Sequence, residues 1–342
     1  MIVFLIILLM LILYRIRFAS FHDDYLGLDQ CTAIRGIFAV IIFLSHARGY
    51  LELGSGLGDR IVNVVMRMIG QSMVSMFFFY SGYGIAVSYL NKKDYDRLFF
   101  RKRIIKTLVH FDLAIILYIL LNLYFGRVYS LKTYLLSMIG FISIGNSNWF
   151  IFVILVLYLI TWISFILIKI FRIPKKRIMY FVLLLSLVFW FVMYKMNFSG
   201  NWYNTMLCYP VGMIYGVYQE QITLNMKNNR KYALSFCAVL LFVGLCYIFK
   251  GNNITYSVFS VLFALIVVMV SMKVKIQNQV LLWIGKYSFS IYILQRFTMI
   301  LLRYAGITNP LIFTSFAMIS TFLMAYCFEI LLGFVDRNVL HC

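Results

Sequence analysis

Residues 28–50 read LDQCTAIRGIFAVIIFLSHARGY, a stretch apolar enough to sit in a membrane that nevertheless carries one arginine, Arg35, and one histidine, His46. As a helix, the steps between them sum to about 1100°, three turns plus roughly 20°, with a rise of about 16 Å. Both side chains therefore lie on one face. An arginine at the centre of a lipid-facing helix costs at least about 2.5–3.5 kcal/mol, so that face should line a protein interior or a wet cavity. The pair is the first candidate site.

Composition agrees with a membrane setting. The 342 residues are 63% hydrophobic and 12% charged, with a mean hydropathy of +0.92, whereas an ordinary soluble domain is about 25% charged. The 33 Phe and 25 Tyr suit lipid-facing and interfacial positions. A net charge of +20 does not point to nucleic acid, because the basic residues fall in short segments between apolar runs, as positive-inside topology requires. The cysteines (Cys31, Cys208, Cys237, Cys246, Cys327, Cys342) show no CxxC pair, and the histidines (His22, His46, His110, His341) show no i, i+4 pair. Neither a disulfide framework nor a metal site is expected.

Taken in order, the chain predicts an all-α, polytopic membrane bundle of about eleven spans: 1–18, 32–50, 68–90, 104–125, 149–171, 178–196, 202–218, 232–249, 254–272, 280–304 and 310–334. Residues 1–18 read as a retained N-terminal anchor, with no basic residue ahead of the apolar run and Arg15 and Arg17 behind it. This predicts Met1 outside and the arginines inside. The 51–70 stretch reads as an external loop. Residues 91–106, NKKDYDRLFFRKRIIK, are the most basic stretch and are expected as a cytoplasmic loop. Residues 126–147, interrupted by Gly140 and Gly145, read as non-spanning. Were they a span, the basic run 169–177 would face outward, against the charge rule. The same alternation places Lys227, Arg230, Lys231, Lys273, Lys275 and the chain from Asp336 onward inside.

Several blocks now resemble those of the acyltransferase family 3 integral membrane proteins, many of which O-acetylate bacterial surface polysaccharides. The first core helix of that family carries an arginine or lysine, ten residues, then a histidine, matching Arg35 and His46. FFFYSGYGI at 77–85, FFRKRIIK at 99–106, NWFIFVILVLYLI at 148–160 and IGKYSFSIYILQ at 284–295 follow in the family's order. The resemblance implies an anchor helix at 1–18, a ten-helix acyltransferase domain at 28–334, a plasma-membrane location, acetyl-CoA as acyl donor and a sugar hydroxyl of a capsular or other surface polysaccharide, or its lipid-linked precursor, as acceptor. Here Arg103 is followed after two residues by Lys106, where the family usually has a second arginine. Gln295 stands where the family often has histidine, so no second catalytic histidine is expected.

In chemical terms, His46 suits the general base that takes the acceptor's hydroxyl proton. Arg35 would orient the donor or hold developing negative charge; its other reading is an ion pair with Asp112 or Glu329. Arg101, Arg103 and Lys106 would hold the phosphates of coenzyme A, or serve topology alone. Ser81, Gly82 and Tyr83 read equally as substrate contacts or as tight helix packing. Trp149 and Gln295 are further substrate or structural candidates, and His110 and Asp112 read as a buried structural group at least as readily as a catalytic one. A transporter or flippase for a lipid-linked sugar would share the hydropathy profile, but it does not require the Arg35/His46 face together with the basic 91–106 segment. A non-enzymatic scaffold leaves the buried ionisable residues unexplained.

Overall fold

The computed structural model describes residues 1–340 apart from 53 and 250, so His341 and Cys342 lie outside the described residues. The chain runs α1 (Ile2–Leu13), β1 (Ile16–Phe18), α2 (Leu28–Arg48), α3 (Leu57–Ile69), α4 (Ser75–Asn91), α5 (Tyr95–Phe99), α6 (Lys106–Tyr124), α7 (Leu131–Met138) and α8 (Trp149–Ile170). It continues through α9 (Ile178–Lys195), α10 (Cys208–Met226), α11 (Asn229–Ile248), α12 (Asn253–Lys273), β2 (Val274–Ile276), α13 (Gln279–Lys286), α14 (Ser288–Tyr304) and α15 (Pro310–Asn338). Asparagines in the connections set several starts: Asn228, Asn252, Asn278 and Asn309 each accept hydrogen bonds from the first backbone N–H groups of α11, α12, α13 and α15, filling donors that a helix leaves unpaired.

Among the described residues, eight helical segments are long and apolar enough to cross a membrane, and the fold is a polytopic membrane helix bundle. Three expected spans are helical but depart from a plain crossing. Helix α1 has 12 residues, about 18 Å, short of the roughly 30 Å hydrocarbon core. Helix α10 carries Gln219, Glu220 and Gln221 in its second half, and the 280–304 span is broken at Tyr287 into α13 and α14. The 126–147 stretch holds only the eight-residue α7, about 12 Å long and so non-spanning, as expected.

Two expected loops are instead helical. Residues 57–69 form α3, whose Val62 and Met66, one turn apart, are buried while Ile61, Val64 and Met68 are exposed. Gly70, at φ +51°, ends it. The basic 91–106 stretch turns only at 92–94, with Asp94 at φ +52°, and then becomes α5, a π-helical joint at Phe100–Ile105 and α6. Its Leu, Phe, Ile, Arg and Lys residues contain no helix breaker.

Two close crossings knit the bundle. A Cβ on Gly82 would lie 2.0 Å from the Tyr209 carbonyl oxygen, and one on Gly212 2.1 Å from that of Phe79, locking α4 to α10. A Cβ on Gly36 would lie 2.1 Å from the Leu281 carbonyl oxygen, and one on Gly285 1.8 Å from that of Thr32, locking α2 to α13. With little hydrophobic drive between helices in lipid, small residues that let backbones meet supply the packing.

The basic segments gather at one end. Strand β1 pairs antiparallel with β2, Arg17 opposite Lys275. Lys275 binds Asp24, and Lys227 binds Asp23 at 2.8 Å. Contacts of Phe79 with Gly212 and of Tyr83 with Gln219 run in parallel register, so α4 and α10 finish at that same end. Lys175 covers the Tyr89 ring, and Asp336 of α15 meets Lys106. The opposite end holds the far terminus of α2, with His46.

Candidate active site

Helix α2 is buried along most of its length, and a cavity of about 550 Å³ runs beside it from Leu28 to Ile42. Arg35 projects into this space, as the face argument predicts. Its Nη2 donates to Thr32 Oγ1 at 2.9 Å, and its Nε has no hydrogen-bond partner. No acid pairs with it among the described residues, so the ion-pair reading with Asp112 or Glu329 is not realised. Glu329 instead accepts from Ser290 Oγ at 2.6 Å. Asp112 keeps a buried, unpartnered Oδ1.

The basic stretch is divided by its helical form. Arg103 lines the same cavity as Arg35, in the neighbourhood of the phenols of Tyr95, Tyr158 and Tyr209. Arg101 points away and donates to the Leu340 carbonyl. Lys106 Nζ sits 2.6 Å from Asp336 Oδ2, while His110 Nε2 lies 2.8 Å from Asp336 Oδ1. Thus His110 belongs to an inter-helix charge group with α15, and Lys106 is already neutralised there. The loop picture would have put all three cations on one surface; a helix fans them out.

The SGYG segment is divided likewise. Gly82 packs against α10. Ser81, Tyr83 and Gly84 line the cavity, with Ser81 Oγ 2.9 Å from the Tyr158 hydroxyl and open space over Gly84. The packing reading holds for Gly82, while Ser81, Tyr83 and Gly84 stand at the cavity wall.

His46 lies outside the cavity lining, one helical turn beyond Ile42. Its Nδ1 is 3.4 Å from Ser147 Oγ, and its ring meets the edge of Tyr292 at 6.3 Å between centroids. Arg296 is close enough to act on it electrostatically. That guanidinium is fixed by the Tyr50 hydroxyl at 3.1 Å and the Asn146 carbonyl at 3.3 Å. The loop after α7 supplies Ser147 and Asn146. Gly140 and Gly145 both take positive φ, Asn148 donates to the Gly140 carbonyl, and Asn122 of α6 donates to the Ile144 carbonyl at 2.8 Å. The non-spanning segment is therefore a built wall of the site. Gln295 is fully buried, its Nε2 bonded to the Tyr292 carbonyl and its Oε1 unpartnered. Trp149 opens α8 and packs on Phe150, away from the cavity lining.

The sequence alone assigned no role to Arg296, Tyr292 or Ser147, nor to Tyr80 and Cys31, which line the cavity. The charge of Arg296 within an apolar run was the one legible signal. The others are ordinary residue types whose roles depend on helix rotation.

The geometry joins two parts: a chamber with two guanidinium groups, lying along α2 from Leu28 to Ile42, and an imidazole beside a hydroxyl and a third guanidinium. No curated protein and no solved structure matches the chain. A family model described as an acyltransferase domain matches residues 25–330, nearly the whole chain. The chain therefore belongs to this acyltransferase family, and the protein is a membrane acyltransferase.

Proposed function

We propose that this protein transfers an acetyl group from cytosolic acetyl-CoA to a sugar hydroxyl of a cell-surface or capsular polysaccharide, or of its lipid-linked precursor. The observation that carries the reading is the cavity along α2, which contains Arg35 and Arg103 and ends one turn short of His46. In this reading the basic end faces the cytosol, Arg103 meets the donor's phosphates in the cavity, Arg101, turned to Leu340, contributes only to helix placement, and the thioester arm extends up α2. Lys106, tied to Asp336, contributes through helix placement. His46, with Nδ1 turned to Ser147, uses Nε2 to take the acceptor's proton. The acceptor oxygen bonds to the carbonyl carbon, the C–S bond breaks, and the coenzyme A thiolate leaves with the proton. Arg35 orients the arm.

Membranes containing the protein should incorporate radiolabel from [acetyl-¹⁴C]acetyl-CoA into a polysaccharide or lipid-linked glycan fraction, and His46→Ala membranes should not. Equal incorporation in both would sink the reading.

A further inference from the structure

We propose that Tyr292 and Phe150 form an aromatic partition between the donor chamber and His46, and that this partition restricts the transferred group to a short acyl chain. The inference rests on the acetyl-transfer reading and deepens it.

Tyr292 and Phe150 both line the chamber, and His46 does not. Their rings meet edge to face at 5.5 Å between centroids and 73°. The Tyr292 ring also presents itself to His46 at 6.3 Å and 60°, so it has the chamber on one side and the imidazole on the other. Phe150 is backed by Phe78 at 4.8 Å and Phe77 at 6.2 Å, which leaves it little freedom to swing. Tyr292 is 9% exposed, its ring held between Phe150 and His46.

The consequence follows from where the bond is made. For an oxygen activated by His46 to reach the thioester carbon, that carbon must come up to the partition. Whatever extends beyond the carbonyl then shares the volume occupied by the two rings. A methyl group fits against ring faces and edges. Two further methylenes need space that the rings fill, and a closely packed aromatic cluster yields little.

The test compares acetyl-CoA with butyryl-CoA as donors for the full-length protein in membranes, reading the ratio of kcat/KM values. Wild type should favour acetyl by about tenfold or more. Phe150→Ala and Tyr292→Ala should each raise the butyryl-to-acetyl ratio by about tenfold, whereas Tyr292→Phe, which keeps the ring, should retain the wild-type ratio. Phe150→Leu and Tyr292→Leu serve if the alanine variants do not accumulate as folded protein, since they shorten the ring while keeping apolar bulk. Equal use of both donors by wild type, or an unchanged ratio in active alanine or leucine variants, overturns the partition while leaving acetyl transfer standing. Absence of transfer from either donor in wild type overturns the acetyl-transfer reading, and the partition with it.

Discussion

At the scale of single residues, the proposed reaction divides the work among Arg35 and Arg103, which would hold the donor, and His46, which would move a proton. Replacing His46 with alanine should lower transfer by about 10²–10⁴-fold, the usual contribution of a general base, with the amount of membrane-inserted protein unchanged. Activity within a few-fold of wild type would remove His46 from the mechanism. Arg103 and Lys106 should separate, because Arg103 faces the cavity and Lys106 faces Asp336. Arg103→Gln should chiefly raise the KM for acetyl-CoA, by about ten- to hundredfold for one lost charge-assisted contact. Neutralising Lys175, Lys176 and Arg177, which line no part of the cavity, should leave that KM alone. If both sets behave alike, the donor's phosphates bind elsewhere.

At the scale of elements, the two glycine crossings and the small sheet hold the site in shape. Gly82→Ala and Gly36→Ala each drive a methyl group against a carbonyl oxygen near 2 Å. Each should therefore cost about 1–3 kcal/mol or more, seen as a lower Tm in detergent. Gly84→Ala, on the same helix but facing open space, should leave Tm close to wild type; equal losses at 82 and 84 would contradict the α4–α10 crossing. At the basic end, the hydrogen bond from Lys275 holds the Asp24 carboxyl below its ordinary value. A depressed carboxylate pKa contributes stability above the unfolded value, near 3.9, that is lost as pH falls through the folded value. The contribution of so exposed a pair is small. Hydrogen-exchange protection at residues 16–18 and 274–276, taken relative to the intrinsic rate at each pH, should accordingly weaken slightly below about pH 4, and Asp24→Asn should show the weaker protection already at neutral pH.

At the scale of the whole molecule, the gathering of Arg17, Lys175, Lys227, Lys275 and Asp336 at one end makes topology a single question. If that end is cytosolic, as charge bias implies, then cysteines substituted at Lys175 and Lys227 in a background without native cysteines should react with a membrane-impermeant maleimide only after permeabilisation. Labelling of either from outside would invert the bundle and take the proposed donor route with it. A mixed result would break the shared end that the β1–β2 pairing and the α4–α10 register describe.

The sequence by itself determined what does not depend on how helices turn against one another: apolar runs long enough to span, too few charges for water, and Arg35 and His46 on one face because helical periodicity puts them there. It also determined that residues 126–147 do not span, through the parity of basic segments. Only the tertiary structure decided which residues share a space. Rotation of the π-helical joint and of α6 about their axes sent Arg103 into the cavity, Arg101 to Leu340 and Lys106 to Asp336. Likewise Gly82 met a neighbouring backbone while Gly84, two residues on, met open space. The Ser147–His46 contact joins positions 101 residues apart through a loop whose path depends on Gly140, Gly145 and hydrogen bonds from other helices. Periodicity is a local property of the chain and survives in the sequence; rotation, crossing and loop path are settled by packing between distant segments.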